Sequence, residues 1–81
     1  MRVSVRFLST LGSLIGSRQV ELSLPEKASV ADLAQRLQEM YPQQAALLAQ
    51  AVYMLDEKST SAQTELADGA QVLALLVLSG G

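Results

Sequence analysis

An unbroken apolar run lies near the end of the chain: Val72-Leu73-Ala74-Leu75-Leu76-Val77-Leu78. A strand can be apolar at every position only where both of its faces are covered, so the run predicts a central strand. Alternation along this strand divides its side chains into two sets that point to opposite faces of the sheet. The set expected to face the core is Val72, Ala74, Leu76 and Leu78. The set expected to form an apolar patch on the opposite face of the sheet is Leu73, Leu75 and Val77.

Two earlier segments predict half-buried strands. Apolar and polar residues alternate strictly over residues 2–7, and the pattern resumes over residues 18–24, which is typical of strands with one buried face. Pro25 lacks the backbone donor that a sheet needs and ends the second strand. Residues 9–17 carry two glycines and four hydroxyl residues, so they are expected to form a loop, anchored to the core by its leucines and isoleucine. The first two strands are therefore expected to be antiparallel.

A helix is predicted from residue 30 onward. Ser29 stands at the N-cap position with Asp32 three residues later, a shortened capping box that also favours the helix dipole. The apolar residues that follow have helical spacing, and Pro42 ends the pattern. The stripe consists of Val30, Leu33, Ala34, Leu37, Met40 and Tyr41.

The rest of the chain reads as short elements. Residues 45–50 predict a helical turn or two, residues 51–55 a third strand, and residues 58–61 a short edge strand. Asp56-Glu57 is expected to be a solvated turn and not an acid/base pair, and Asp68-Gly69 marks a tight turn before the apolar run. The order is that of a two-layer α+β domain of the β-grasp, ubiquitin-like type. We expect one domain over residues 1–81, with a mixed sheet of four to five strands, one main helix on one face, and the last strand beside the first.

Composition excludes several classes of function. Without cysteine or histidine, the chain has no disulfide, thiolate nucleophile, imidazole base or common metal-ligand set, so no metal is expected. Lys and Arg together number six, and the net charge is −2, which argues against nucleic-acid binding. No apolar run approaches the roughly 20 residues of a membrane span. We therefore expect a soluble cytoplasmic protein that does not bind membranes.

The last two residues are the sharpest functional signal. Gly80 and Gly81 follow the predicted strand, where neither is needed for a cap or a hairpin. Glycine has no Cβ, so a Gly-Gly terminus fits a narrow channel and carries its α-carboxylate into another protein's active site. A frayed end that merely tolerates glycine is the plain alternative. The coincidence with a β-grasp element order favours the functional interpretation, with residues 79–81 as a flexible tail.

Five short motifs, in this order, carry a resemblance over the whole length of the chain. They are Val3-x-Val5-x-Phe7, Leu11-x-x-Leu14-Ile15-Gly16, Val30-x-x-Leu33, Leu66-Ala67-Asp68-Gly69-x-x-Val72 and Gly80-Gly81. The chain thereby resembles the MoaD/ThiS family of sulfur-carrier proteins, and within it the small subunits of molybdopterin synthase.

The resemblance implies a protein that is itself a substrate. An adenylating enzyme of the MoeB/ThiF type, similar to ubiquitin-activating enzymes, would use ATP to activate the carboxylate of Gly81, which is then converted to a thiocarboxylate. The slim tail would be Ser79 and Gly80, and the recognition surface Leu73, Leu75 and Val77. No bound cofactor is expected, and the acceptor would be an enzyme such as the large subunit of molybdopterin synthase.

Three alternatives stay open at this point. The same activated carboxylate would allow conjugation to a target lysine, as in a ubiquitin-like modifier. The sulfur could instead serve thiamine, tRNA thiolation or cysteine synthesis. The chain could also be an interaction domain whose terminal glycines are incidental.

Overall fold

The computed structural model describes residues 1–77. Five strands form one mixed sheet in the order β2-β1-β5-β3-β4. The strands are β1 (Arg2–Phe7), β2 (Gln19–Ser23), β3 (Val52–Leu55), β4 (Lys58–Ser59) and β5 (Gln71–Leu75). β1 pairs antiparallel with β2 and parallel with β5, and β3 pairs antiparallel with both β4 and β5. The predicted central position of the last strand, beside the first, is confirmed.

The main helix, α2 (Val30–Met40), lies where the sequence predicts it. The Ser29 hydroxyl accepts from the Asp32 backbone N–H at 3.3 Å, and the Asp32 carboxylate accepts from the Ser29 N–H at 2.8 Å. These two bonds form the predicted capping box and satisfy backbone donors that the first turn would otherwise leave free. The helix ends at Met40, because Tyr41 precedes a proline and leaves helical angles.

The core lies between α2 and one face of the sheet. Leu33 and Leu37 of the helix are fully buried, as are Val5 of β1 and Ala74 of β5. Phe7 and Tyr41 meet edge to face with ring centroids 6.1 Å apart, which joins the end of β1 to the end of the helix. The core is therefore built from alternate residues of the strands and one stripe of the helix, as predicted.

The expectation of a loop over residues 9–17 is wrong. The segment contains a short helix, α1 (Thr10–Ile15), which ends at Gly16 in the left-handed conformation with φ +87°. Leu11 on this helix is fully buried and Ile15 is half-buried, whereas Leu14 is 49% exposed and anchors nothing. Leu11 and Ile15 are four residues apart, so both lie on the side of α1 that faces the core. Their burial outweighs the low helix propensity of Gly12 and of the hydroxyl residues.

The second half of the chain follows the prediction with shorter elements. A 3₁₀ turn (Pro42–Gln44) leads into α3 (Ala45–Gln50), which packs on α2. Asp56 and Glu57 are exposed and have φ of 50° and 65°, so they form the turn between β3 and β4, and β4 is shorter than expected. At the next turn the Ala70 N–H donates to the Ala67 carbonyl at 3.0 Å.

The last strand ends at Leu75, three residues before the end of the predicted run. Leu76 and Val77 lie beyond the strand, and Leu78 lies outside the described residues. The predicted tail over residues 79–81 also lies outside them.

Among residues 1–77, no helix could cross a membrane: the longest, α2, has 11 residues. That part of the chain also holds no group of three or more acidic side chains placed to share a metal ion.

One buried tyrosine makes stability depend on pH in the alkaline range. The Tyr53 hydroxyl donates to the Leu48 carbonyl at 2.7 Å, and burial raises the pKa of Tyr53 from 10.0 to about 12. The unfolded chain therefore loses this proton at lower pH than the folded protein does. The stabilising effect is complete below pH 10 and is lost as the pH rises towards 12.

We expect the urea midpoint to fall between pH 10 and pH 12, and Tyr53→Phe to remove part of that fall. At neutral pH the same substitution should cost about 1 kcal/mol, because it removes one hydrogen bond. Tyr41→Phe, at the other tyrosine of the chain, is the matched control. An unchanged pH dependence in Tyr53→Phe would contradict the assignment.

Candidate functional site

The face of the sheet opposite α2 is open. Its side chains come from alternate positions of every strand, and each of them is exposed or half-buried. The polar part of this face lies on β1 and β2 and includes Arg2, Ser4, Arg6 and Glu21. The apolar part lies on β3 and β5. The open face is thus divided along the border between β1 and β5.

The apolar part is a cluster of four side chains, which we call the open-face patch: Val52, Met54, Leu73 and Leu75. The strand register places Leu73 opposite Met54, and Leu75 opposite Val52. Directly opposed residues of antiparallel strands lie on the same face with their side chains in reach of each other. All four are half-buried, in contrast to Val72 and Ala74, their neighbours in β5, which are 1% and 0% exposed on the core face.

Leu73 and Leu75 thus occupy the open face, as expected from alternation. Val77 is 65% exposed, but it follows the end of β5, so strand alternation no longer fixes the face on which it lies. Leu76 packs against the core.

Sequence reasoning missed the contribution of β3. Val52 and Met54 complete the patch, and the signal was present, because residues 51–55 are apolar at every position just as the last strand is. An all-apolar strand next to a central all-apolar strand extends the same open face.

Arg6 marks the border of the patch. It lies directly opposite Leu73 across the β1–β5 pairing and is exposed. Arg18 lies one position before β2, where its carbonyl accepts from the Phe7 N–H at 2.8 Å. Both arginines line one cleft of about 610 Å³ beside α1. The open face therefore has an apolar centre with Arg6 at its border, and Arg18, which stands opposite Phe7, joins Arg6 through the cleft that both line.

The chain leaves the sheet beside this patch. The Leu8 N–H donates to the Ala74 carbonyl at 2.9 Å, so β5 runs out at the end where β1 also finishes. The predicted reacting residue Gly81 and the predicted tail residues Ser79 and Gly80 follow this point and lie outside the described residues. The described side chains around this exit are those of apolar residues, serines, glutamines and arginines, and none of them carries a thiol, imidazole or carboxyl group for nucleophilic or acid/base catalysis.

Comparison with solved structures shows the same fold in proteins of low sequence identity. SAMP1 of Haloferax volcanii aligns with a TM-score of 0.87 at 17% identity, over 100% of both chains. A putative molybdopterin converting factor, subunit 1, from Pyrococcus furiosus aligns with a TM-score of 0.85 at 22% identity, over 96% of this chain and 99% of the other.

A third match comes from a complex. The structure of subunits 1 and 2 of the molybdopterin-converting factor from Helicobacter pylori contains a chain that aligns with a TM-score of 0.69 at 20% identity, over 100% of both chains. Curated proteins give no match in sequence. These likenesses confirm the β-grasp, ubiquitin-like fold.

The family model named ThiS matches residues 5–81, which is nearly the whole chain and includes Gly80 and Gly81. The chain belongs to the ThiS family.

Proposed function

We propose that this protein is a sulfur carrier, and that the carboxylate of Gly81 is the group that carries the sulfur. The observation that supports this most is the family match, which extends through the final Gly80-Gly81. In the described part, a central strand with an apolar open face ends at Leu75, six residues before Gly81.

The proposed chemistry has two steps. In the first, the Gly81 carboxylate attacks the α-phosphate of ATP on an activating enzyme of the MoeB/ThiF type, so that an acyl-adenylate forms and pyrophosphate leaves. In the second, sulfide from a donor attacks the acyl carbon, the bond to phosphate breaks, and AMP leaves with its electron pair. The product is a thiocarboxylate, a soft nucleophile at neutral pH. The carrier supplies the carboxylate and the recognition surface, and ATP belongs to the partner.

The open-face patch and Val77 are the proposed docking surface. A contiguous apolar surface on a small protein commonly marks an interaction site. Four residues separate Val77 from the end of Gly81, and a fully extended segment of that length spans at most about 14 Å. An enzyme that binds the patch and Val77 must therefore hold its ATP within about that distance of Val77.

Molybdopterin synthesis is the pathway that we propose. Two of the similar structures are described as subunit 1 of a molybdopterin-converting factor, and one of these was solved with subunit 2. By analogy, the acceptor would be a large subunit of molybdopterin synthase, with this chain as the small subunit, working in the cytoplasm. Protein conjugation through Gly81 is the second candidate, favoured by the likeness to SAMP1, a small archaeal modifier protein.

Intact mass spectrometry tests the proposal. After incubation with the activating enzyme of the same organism, ATP and a sulfide source, the mass is expected to rise by the difference between one sulfur and one oxygen atom. Fragmentation should locate the change at Gly81. Omission of ATP is the control. If an enzyme that demonstrably adenylates the chain yields lysine-linked conjugates and no thiocarboxylate, the modifier function is the correct one.

A further inference from the structure

Two of the four arginines are free of ion pairs within residues 1–77. Arg2 pairs with Glu21 at 3.1 Å and Arg36 with Glu39 at 3.5 Å. Arg6 and Arg18 have no acidic partner within 4.0 Å in that part of the chain, and both line the cleft of about 610 Å³ beside α1. Within the described residues, no carboxylate neutralises either guanidinium group.

Three of the eight acidic residues lie at the other end of the sheet, which also carries Arg2 and Lys58. Asp56, Glu65 and Asp68 line a cleft of about 440 Å³ next to the turn that precedes β5. The Asp68 carboxylate also accepts from the backbone N–H of Arg2, at the start of β1, at 2.8 Å. Because β1 and β5 are parallel, this cleft and Arg6 lie at opposite ends of the central strands.

The net charge of −2 repels an acidic surface as a whole, whereas the guanidinium groups of Arg6 and Arg18 attract it locally. An acidic partner that approaches by diffusion is thus favoured in orientations that meet these two arginines. Electrostatic orientation of this kind acts mainly on the association rate.

We infer that Arg6 and Arg18 form a basic docking rim that receives carboxylates of the enzyme that binds the open-face patch. This inference rests on the proposed function and adds the charge of the partner's surface to it. The register places Arg6 opposite Leu73, next to the patch, and Arg18 lies with Arg6 at the cleft that both line, so one partner can reach the patch and both arginines. Guanidinium groups suit this role, because they form paired hydrogen bonds with carboxylates.

The occupant is a protein surface and not a nucleic acid. The neighbouring apolar patch needs apolar side chains to cover it, and the net negative charge of the chain opposes a polyphosphate backbone. An apolar centre with a charged border is the usual anatomy of a protein–protein interface.

Stopped-flow association with the purified activating enzyme tests the rim. The double variant Arg6→Glu/Arg18→Glu should associate at least about 10-fold more slowly than wild type at low ionic strength. The dissociation rate should change much less, and the difference should shrink in high salt. The matched control is Arg2→Glu/Arg36→Glu, which changes the net charge equally but acts on the two arginines that already have partners. An equal slowing of both double variants would overturn the rim.

A second experiment tests the rim without the activating enzyme. Poly-L-glutamate is added to the labelled protein, and the side-chain NMR signals of its four arginines are followed. Arg6 and Arg18 should shift well before Arg2 and Arg36, and a single-stranded oligonucleotide of equal charge should bind more weakly. Uniform shifts, or tighter binding of the oligonucleotide, would overturn the inference. Failure of the wild-type chain to be adenylated would instead count against the proposed function alone.

Discussion

Deletion of Gly81 is expected to abolish sulfur loading completely, and Gly81→Ala should do nearly the same. The deletion moves the carboxylate back by one residue, out of reach of the ATP on the activating enzyme. The alanine variant keeps the length but adds a Cβ, which a channel shaped for glycine does not accommodate. Both effects should be measured as the fraction of protein that gains sulfur in the intact-mass assay.

Stability separates this loss from unfolding. The last buried residue in the described part of the chain is Ala74, so neither change removes a core side chain that the structure describes. The melting temperature should therefore stay at the wild-type value in both variants. Ser79→Ala, which leaves the two glycines in place, is the control and should load normally. A melting temperature lowered by several degrees would show that the terminus is structural, and normal loading of Gly81→Ala would show that the channel is not narrow.

Much of the fold could be predicted because its signals are local and agree with one another. Each local signal predicts one kind of element: alternation predicts the strands β1 and β2, the capping box at Ser29 the start of a helix, and Gly69 a turn. All of these elements fit a single order along the chain. The all-apolar composition of the last strand predicted its central place, and its pairing with both β1 and β3 confirms that place. Only one of its faces is covered by the helices, however, and the other carries the open-face patch.

The errors have a common physical origin in tertiary contacts. α1 is six residues long, which is too short for a helix that is stable on its own in water. The helix propensity of its residues therefore does not predict it. Burial of Leu11 stabilises it. The last strand ends at Leu75 although Leu76 and Val77 have strand-forming side chains, because its neighbours stop there: β1 ends at Phe7 and β3 begins at Val52, opposite Leu75.

The candidate site was predicted in part for a related reason. Alternation within one strand identified Leu73 and Leu75, since that rule needs only the sequence of that strand. The contribution of Val52 and Met54 depends on the pairing of β3 with β5, and the border at Arg6 depends on the pairing of β1 with β5. Those registers are long-range properties that no single segment contains.

Replacement of Leu75 by aspartate should weaken binding of the activating enzyme by about 2 kcal/mol or more, as loss of a central apolar anchor does at interfaces. This corresponds to an increase in Kd of roughly 30-fold. The side chain is half-buried on the open face beside Val52, so the new carboxylate remains hydrated in the free protein and is desolvated only when the partner covers it. Isothermal titration with the purified enzyme measures the effect.

The neighbouring position supplies the matched control. Ala74 is one residue earlier in the same strand, fully buried on the core face, and Ala74→Asp should prevent folding because it leaves an unpaired charge in the core. Leu75→Asp should keep a urea midpoint close to that of wild type. If Leu75→Asp unfolds as Ala74→Asp does, the two faces of β5 have been assigned the wrong way round. If it folds and binds normally, the enzyme docks elsewhere, because a partner that covers the open-face patch must desolvate that carboxylate.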